Sequence, residues 1–337
     1  MFRLSFGLSK NPRAKGCLTS VTEPIVQTKG LTRLFKEHRA VDSLDLSIRR
    51  GELFGLVGPD GAGKTTTLRL LTGLLKISAG SGSLVGFDLA TQPEEIKPHI
   101  GYMAQEFSLY SELTVIENLR FFSELYDVAA DEFNLRSERL LEFAALTPFK
   151  DRRADHLSGG MQKKLALAST LIHEPEILIL DEPTTGVDPI SRREFWDILA
   201  ELHINGTTVI VSTPYMDEAD RCSRVGLMYE GRMVVCDNPE AIRGQLEGEV
   251  VQVRSNDWQA ARTVLGELPG ILETQFYGES IHLLVDSAET RIPEVELALK
   301  DVGVEIREIR PAPPRMEEAF ISLIRSLAAR DDPQDKS

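Results

Sequence analysis

Leu53–Val57 is a short apolar run that leads straight into the loop Gly58-Pro59-Asp60-Gly61-Ala62-Gly63-Lys64-Thr65-Thr66. Apolar residues then recur at helical spacing over 64–75. A strand, a glycine-rich loop and a helix in immediate succession leave few folds open. The loop fits G-x-x-x-x-G-K-[ST]. Its glycines let backbone amides approach an anion in conformations that other residues resist. The helix behind it aims the positive end of its dipole at the same point. Lys64 is placed to reach phosphate oxygens, and Thr65 offers a hydroxyl to a magnesium ion. The competing reading is a glycine-rich strand-to-helix turn with an exposed lysine.

A second buried-strand pattern, Ile177–Leu180, ends in Asp181-Glu182-Pro183. Ligands collect at strand ends of parallel sheets. Asp181 is the candidate for holding Mg²⁺ through water, and Glu182 for orienting an attacking water. Solvated acids at a helix entry are the alternative. A third feature is Leu157-Ser158-Gly159-Gly160-Met161, which opens a helix. Ser158 is a good N-cap, and Gly159 and Gly160 leave amides open for an anion. An ordinary capped helix is the alternative there. One nucleotide cannot easily use both cradles of one subunit, so a head-to-tail pair is the economical arrangement.

The strands and helices alternate, which predicts an α/β core on a largely parallel sheet. Residues 25–58 read as short strands, with Val41, Leu44, Leu46 and Ile48 facing a core. Residues 106–172 read as a helical lobe: one helix through Leu119, Phe122 and Leu125, a second over 136–146, and a third from Ser158 to before Pro175. From 245 the order strand 250–253, helix 258–268, strands 272–277 and 281–285, helix 293–300 and strand 304–309 predicts a small ferredoxin-like α+β domain. A last helix spans 316–327. Residues 1–24 read as a disordered arm, in preference to an amphipathic surface contact or an extended start, and 331–337 as a disordered tail. The expected domains are therefore 25–244 and 245–330.

The chain has 337 residues and a net charge of −14. That acidic balance argues against a nucleic-acid partner. No apolar run approaches the ~18–20 residues that span a bilayer, so action at a membrane requires a partner. The three cysteines lack metal-type spacing and read as reduced thiols.

With these motifs in order, the sequence resembles the nucleotide-binding domain of an ABC transporter. The glycine loop, Gln105, LSGGM, ILILDEP and Thr185-Gly-Val-Asp188 occur in the family's sequence over about 25–244. LVGPDGAGKTT, GYMAQEFSLYSELTVIENL and DEPTTGVDPISRREFW resemble the ABC-2 exporter branch with its drug-resistance ATPases. The resemblance implies a P-loop NTPase fold of ABC type, a mixed sheet core plus a helical lobe, and MgATP as cofactor. It also implies that Phe35 stacks on adenine, that Gln105 touches Mg²⁺ and water and relays to a permease, and that Asp188 reaches across a dimer. For the residues alone, core packing is the rival reading of Phe35 and a loop amide that of Gln105. The implied partner is an integral-membrane permease of ABC-2 type, with this chain at the cytoplasmic face of the membrane.

The pattern breaks at Ser212-Thr213-Pro214-Tyr215. Pro214 occupies the place where the family has a histidine that contacts the γ-phosphate, and proline supplies no donor. Losing such a donor costs roughly 10²–10³ in rate. This favours an asymmetric pair with a second ATPase subunit that carries the histidine, over an active homodimer. Rival classes are a soluble ABC ATPase acting on ribosomes or DNA, and a non-catalytic ATP-binding switch.

Overall fold

The computed structural model describes residues 24–106 and 109–331; apart from Pro24 and Asp331, the expected arm and tail lie outside the described residues. The chain divides into two compact units, one ending at Asn238 and one beginning at Pro239.

In the first unit, β1 (Pro24–Phe35), β2 (His38–Arg49) and β3 (Leu53–Val57) precede helix α1 (Lys64–Leu71). Then come β4 (Ala79–Leu84), β5 (Phe87–Asp88), α2 (Pro93–Ile96) and β6 (Ile100–Met103). Helices α3 (Val115–Leu125), α4 (Ala130–Phe143) and α5 (Gly159–Leu171) lead to β7 (Ile177–Asp181), α6 (Pro189–Ile204) and β8 (Thr208–Thr213). The unit closes with α7 (Met216–Ala219), β9 (Arg224–Tyr229) and β10 (Arg232–Asp237).

Two sheets result. The larger has the order β10-β9-β3-β8-β7-β6, parallel throughout except for the β9–β10 hairpin. Every residue of β3, β7 and β8 is buried, which is why these strands read as continuous apolar runs rather than alternating ones. The pairing sets Val57 opposite Thr213 and Asp181 opposite Ser212, so the three central strands end side by side.

The second sheet, β2-β1-β4-β5, is antiparallel. Here the expectation of short strands over 25–58 fails, because β1 and β2 are each twelve residues long. Bulges interrupt their register. Ser43, at φ 51°, shifts the buried face of β2 from Val41 to Leu44, and that break in alternation disguises one long strand as shorter pieces.

Three helix bounds also differ from the reading, α4 ending at Phe143 rather than 146. Helix α1 stops at Leu71 rather than 75 because Gly73 takes a left-handed φ of 72° and ends it. Helix α4 begins at Ala130 rather than 136: Asp131 and Glu132 favour its positive end, and Phe133 is buried one turn in. Around it α3, α4 and α5 enclose a core of their own, including Val115, Leu119, Leu140, Leu141, Leu165 and Ile172.

The second unit comprises α8 (Pro239–Arg243), β11 (Glu249–Ser255), α9 (Trp258–Leu265), β12 (Ile271–Tyr277), β13 (Ser280–Val285), α10 (Ala288–Asp301), β14 (Ile306–Ala312) and α11 (Met316–Asp331). It starts ahead of the expected 244/245 boundary because α8 belongs with it. Its antiparallel sheet runs β12-β13-β11-β14, the ferredoxin-like order for β-α-β-β-α-β. One face of the sheet packs on α9 and α10 through Val251, Val253, Leu265, Ile281, Leu283 and Leu299. Helix α10 starts at Ala288, before the expected Pro293, which it carries inside; the Glu249 carboxylate accepts the Ala288 amide and holds that first turn. A buried pair, His282 Nδ1 and Glu318 Oε1 at 2.7 Å, joins β13 to α11.

His173, just past α5, donates from Nε2 to the Ile100 carbonyl at 3.0 Å and stacks on Tyr126. Burial holds its imidazole down at about 4 against an ordinary 6.5. The fold thus favours the neutral ring, and stability is lost as pH falls from 6.5 toward about 4, by up to roughly 3 kcal/mol. His173→Gln, which retains a donor for Ile100, should lack this loss; urea denaturation across that pH window, compared with the wild type, checks it.

Candidate functional site

The loop between β3 and α1 is fixed by three backbone hydrogen bonds. Gly58 N–H donates to the Thr213 carbonyl at 3.3 Å and Ala62 N–H to Pro59 at 3.2 Å, while Ala62 accepts from Gly231 at 3.0 Å. Gly63 has φ 102°, and a Cβ there would lie 2.4 Å from the Ala40 carbonyl, so glycine is required on two counts. Asp60 and Gly61 are exposed, Pro59, Thr65 and Thr66 are half-buried, and Lys64 is buried.

Lys64 Nζ donates to the carbonyls of Gly58 at 2.8 Å and Pro59 at 3.0 Å, and lies 3.3 Å from Glu182 Oε1. The ammonium is therefore satisfied by its own loop and by the acid at the end of β7. Asp181 is fully buried. Its Oδ1 accepts from Thr65 Oγ1 at 3.0 Å and Ser212 Oγ at 2.6 Å. Its Oδ2 is buried without a hydrogen-bond partner. A buried, unpaired carboxylate oxygen calls for a ligand, and beside the Thr65 hydroxyl it suits a hard cation that draws its remaining oxygens from water and phosphate.

Glu182 has φ 48°, an unusual conformation for a residue with a side chain. Its amide donates to Ser212 Oγ at 3.0 Å. That twist turns the carboxylate toward Lys64 and toward Gln105 Nε2, which donates to Oε2 at 3.0 Å; Thr185 Oγ1 is 3.4 Å from the same oxygen. Gln105 is held in turn by Lys163, whose Nζ donates to its carbonyl at 3.2 Å. Burial pushes the Lys163 ammonium down, and the charge of Glu182 opposes this.

Five of the expected residues thus converge: Lys64, Thr65, Gln105, Asp181 and Glu182. Others do not join them. Ser158 caps α5 through the Met161 amide at 3.3 Å. Among the described residues, no hydrogen bond or ion pair links Ser158, Gly159 or Gly160 to the 58–66 loop. Gly159 faces open space, whereas a Cβ on Gly160 would meet Ser191 Oγ at 2.4 Å. Asp188 is an exposed N-cap of α6, accepting from Ile190 and Ser191 amides at 3.1 and 3.0 Å; the Ser191 N–H above all holds its carboxyl below the usual range. Phe35 is 42% exposed, which excludes core packing, and the Arg33 guanidinium sits 4.6 Å over its ring. Pro214 follows Thr213 directly, beside the first loop residue. His99, His156, His173, His203 and His282 pair with Glu176, Asp155, Ile100, Ser223 and Glu318, none of them a residue of this cluster.

Sequence reasoning missed Ser212 and Lys163. Ser212 was legible in principle, because aligning the apolar runs 177–180 and 208–211 as parallel neighbours sets it beside Asp181. Lys163 carries no comparable signal.

A glycine loop between strand and helix, with a lysine, a hydroxyl and a buried acid pair at the neighbouring strand end, defines a P-loop nucleotide-binding ATPase. The family model described as ABC transporter matches residues 41–185. A probable multidrug ABC transporter ATP-binding protein, YbhF of Escherichia coli K12, is 39% identical over 93% of this chain and 54% of its own length. This chain thus spans about half of that relative. A daunorubicin resistance ATP-binding protein, DrrA2 of Streptomyces coeruleorubidus, is 34% identical over 88% of this chain and 94% of its own length. Among solved structures, an ATP-binding cassette of an ABC transporter in its ADP conformation superposes with a TM-score of 0.60 at 25% identity, covering 65% of this chain and 93% of that one. The chain belongs to the ABC transporter ATPase family.

The close approach at Gly160 is testable. Gly160→Ala should destabilise the protein by roughly 1–3 kcal/mol through overpacking, and adding Ser191→Gly should restore most of the loss; chemical denaturation of both variants measures it.

Proposed function

We propose that this chain is the ATP-binding subunit of an ABC-type exporter, coupling ATP binding and hydrolysis in a head-to-tail pair to transport through a separate membrane permease. The observation that carries this reading is the convergence of Lys64, Thr65, Asp181, Glu182 and Gln105, with no hydrogen bond tying the Ser158–Gly160 cradle to this chain's own glycine loop among the described residues.

The residues divide the work as follows. Amides of Gly58–Thr65 and the α1 N-terminus cradle the phosphates. Lys64 exchanges its loop carbonyls and Glu182 for phosphate oxygens, which releases Glu182 to orient a water and accept its proton. Mg²⁺, when bound, neutralises charge developing on the phosphates; Thr65, Asp181 Oδ2 and Gln105 are the residues to hold it or its waters. Phe35 serves adenine, and Asp188 acts across the pair. No helix among the described residues is long and apolar enough to cross a membrane, consistent with a peripheral place at the cytoplasmic face under an ABC-2 type permease. The likeness to a multidrug ABC transporter ATP-binding protein and a daunorubicin resistance ATP-binding protein supports a transport-coupled role.

Pro214 offers no donor to a transferring phosphate. We therefore assign this chain's own site slow hydrolysis and favour a heterodimer in which the partner ATPase supplies the histidine. Lys64→Ala should abolish MgATP binding, measured by equilibrium dialysis, and Glu182→Gln should trap an ATP-bound pair, seen by sedimentation. Pro214→His should raise turnover of the purified protein by about tenfold or more; an unchanged steady-state rate would overturn the slow-site assignment.

A further inference from the structure

Glu218 lies in the short helix α7, outside the cluster described above, and is 1% exposed. Its carboxylate collects donors from three separate segments. Thr184 Oγ1 donates to Oε1 at 2.7 Å and Arg192 Nε to the same oxygen at 2.6 Å. Thr213 Oγ1 donates to Oε2 at 2.5 Å and itself accepts the Tyr215 amide at 3.1 Å. Arg192 also pairs with Asp217 at 2.9 Å and lies 4.2 Å over the Tyr215 ring. Thr184 and Thr213 are both buried.

These bonds have a particular topology. Thr184 stands two residues past Glu182, and Arg192 lies in the first turn of α6, so Glu218 grips both ends of the segment that carries Asp188. Thr213 ends β8 and immediately precedes Pro214, so the other oxygen grips the turn beside the glycine loop. Removing one partner from a buried charge is costly because the remainder is left uncompensated. The three segments are therefore held as one piece by a single side chain.

We propose that Glu218 is a positioning residue that locks the Asp188 segment and the Pro214 turn in register with Glu182, so that pairing across Asp188 and chemistry at Glu182 depend on the same buried carboxylate. The inference rests on the head-to-tail reading for its functional half, and on this chain's own hydrogen bonds for its structural half. Glu218 touches neither the loop carbonyls nor Lys64, so it acts through its neighbours and not on nucleotide directly.

The test compares Glu218→Gln, which conserves volume but removes the charge and replaces one acceptor oxygen by a donor amide, with Glu218→Ala. Hydrogen–deuterium exchange of the nucleotide-free protein should quicken in both 184–192 and 213–219 for Glu218→Ala, and less so for Glu218→Gln. MgATP affinity should stay within about threefold of wild type, while kcat falls about tenfold at little-changed KM. In the Glu182→Gln background, the ATP-dependent pair should weaken about tenfold. Faster exchange confined to 213–219, or unchanged exchange, overturns the proposal. So does a loss of ATP affinity in parallel with a general fall in thermal stability, which marks a scaffold role only. If Glu182→Gln alone forms no ATP-dependent pair while both segments loosen together in Glu218→Ala, the pairing reading fails and the positioning role stands.

Discussion

The parallel alignment of β3, β7 and β8 is the constraint on which the site depends. Because the strands are buried on both faces and paired without slippage, Val57, Asp181 and Thr213 reach the same edge of the sheet. From that edge the chain departs three times: into the glycine loop, into the acid pair, and into the Pro214 turn. Ser212 then closes the gap between neighbours, since its hydroxyl gives a hydrogen bond to Asp181 and takes one from the Glu182 amide. A shift of one residue in β8 would flip Ser212 to the other face of the sheet and leave the Asp181 carboxylate with still less to bind. The glycine loop is a passenger on this frame as much as a motif.

Much of this was visible in the amino-acid sequence, for physical reasons that can be named. Central strands of a parallel sheet are apolar throughout, so 53–57, 177–180 and 208–212 stood out, and the residues after them were immediately suspect. The β-α-β-β-α-β order of the second unit was legible from alternating patterns and turn residues. The long β1–β2 hairpin was not, because bulges scramble its period. The start of α10 was not, because Pro293 looks like a first-turn residue and the carboxylate that holds the true first turn comes from Glu249, a distant strand. Glu218 and Lys163 escaped for a related reason. A charged side chain on a helix gives no hint by itself that it will be buried or half-buried against segments far away in sequence.

The Asp181 and Glu182 carboxylates, adjacent in sequence, are placed in different surroundings. Asp181 points inward to two hydroxyls and keeps one oxygen unpaired; Glu182, twisted to a positive φ, meets an ammonium and an amide. Neighbouring acids on a regular strand would face opposite sides of the sheet. The left-handed turn at Glu182 is what assigns the two carboxylates different partners, and the hydrogen bonds that the Glu182 amide gives to Ser212 hold that conformation.

The condition of Lys64 has a calorimetric consequence. Its ammonium already has two carbonyl acceptors and a carboxylate close by. A nucleotide therefore does not fill a void of unmet hydrogen bonds; it exchanges one set of partners for another. The heat released on binding reports the difference between those sets, not the full strength of a lysine–phosphate contact. Modest enthalpy at this site is compatible with tight phosphate coordination.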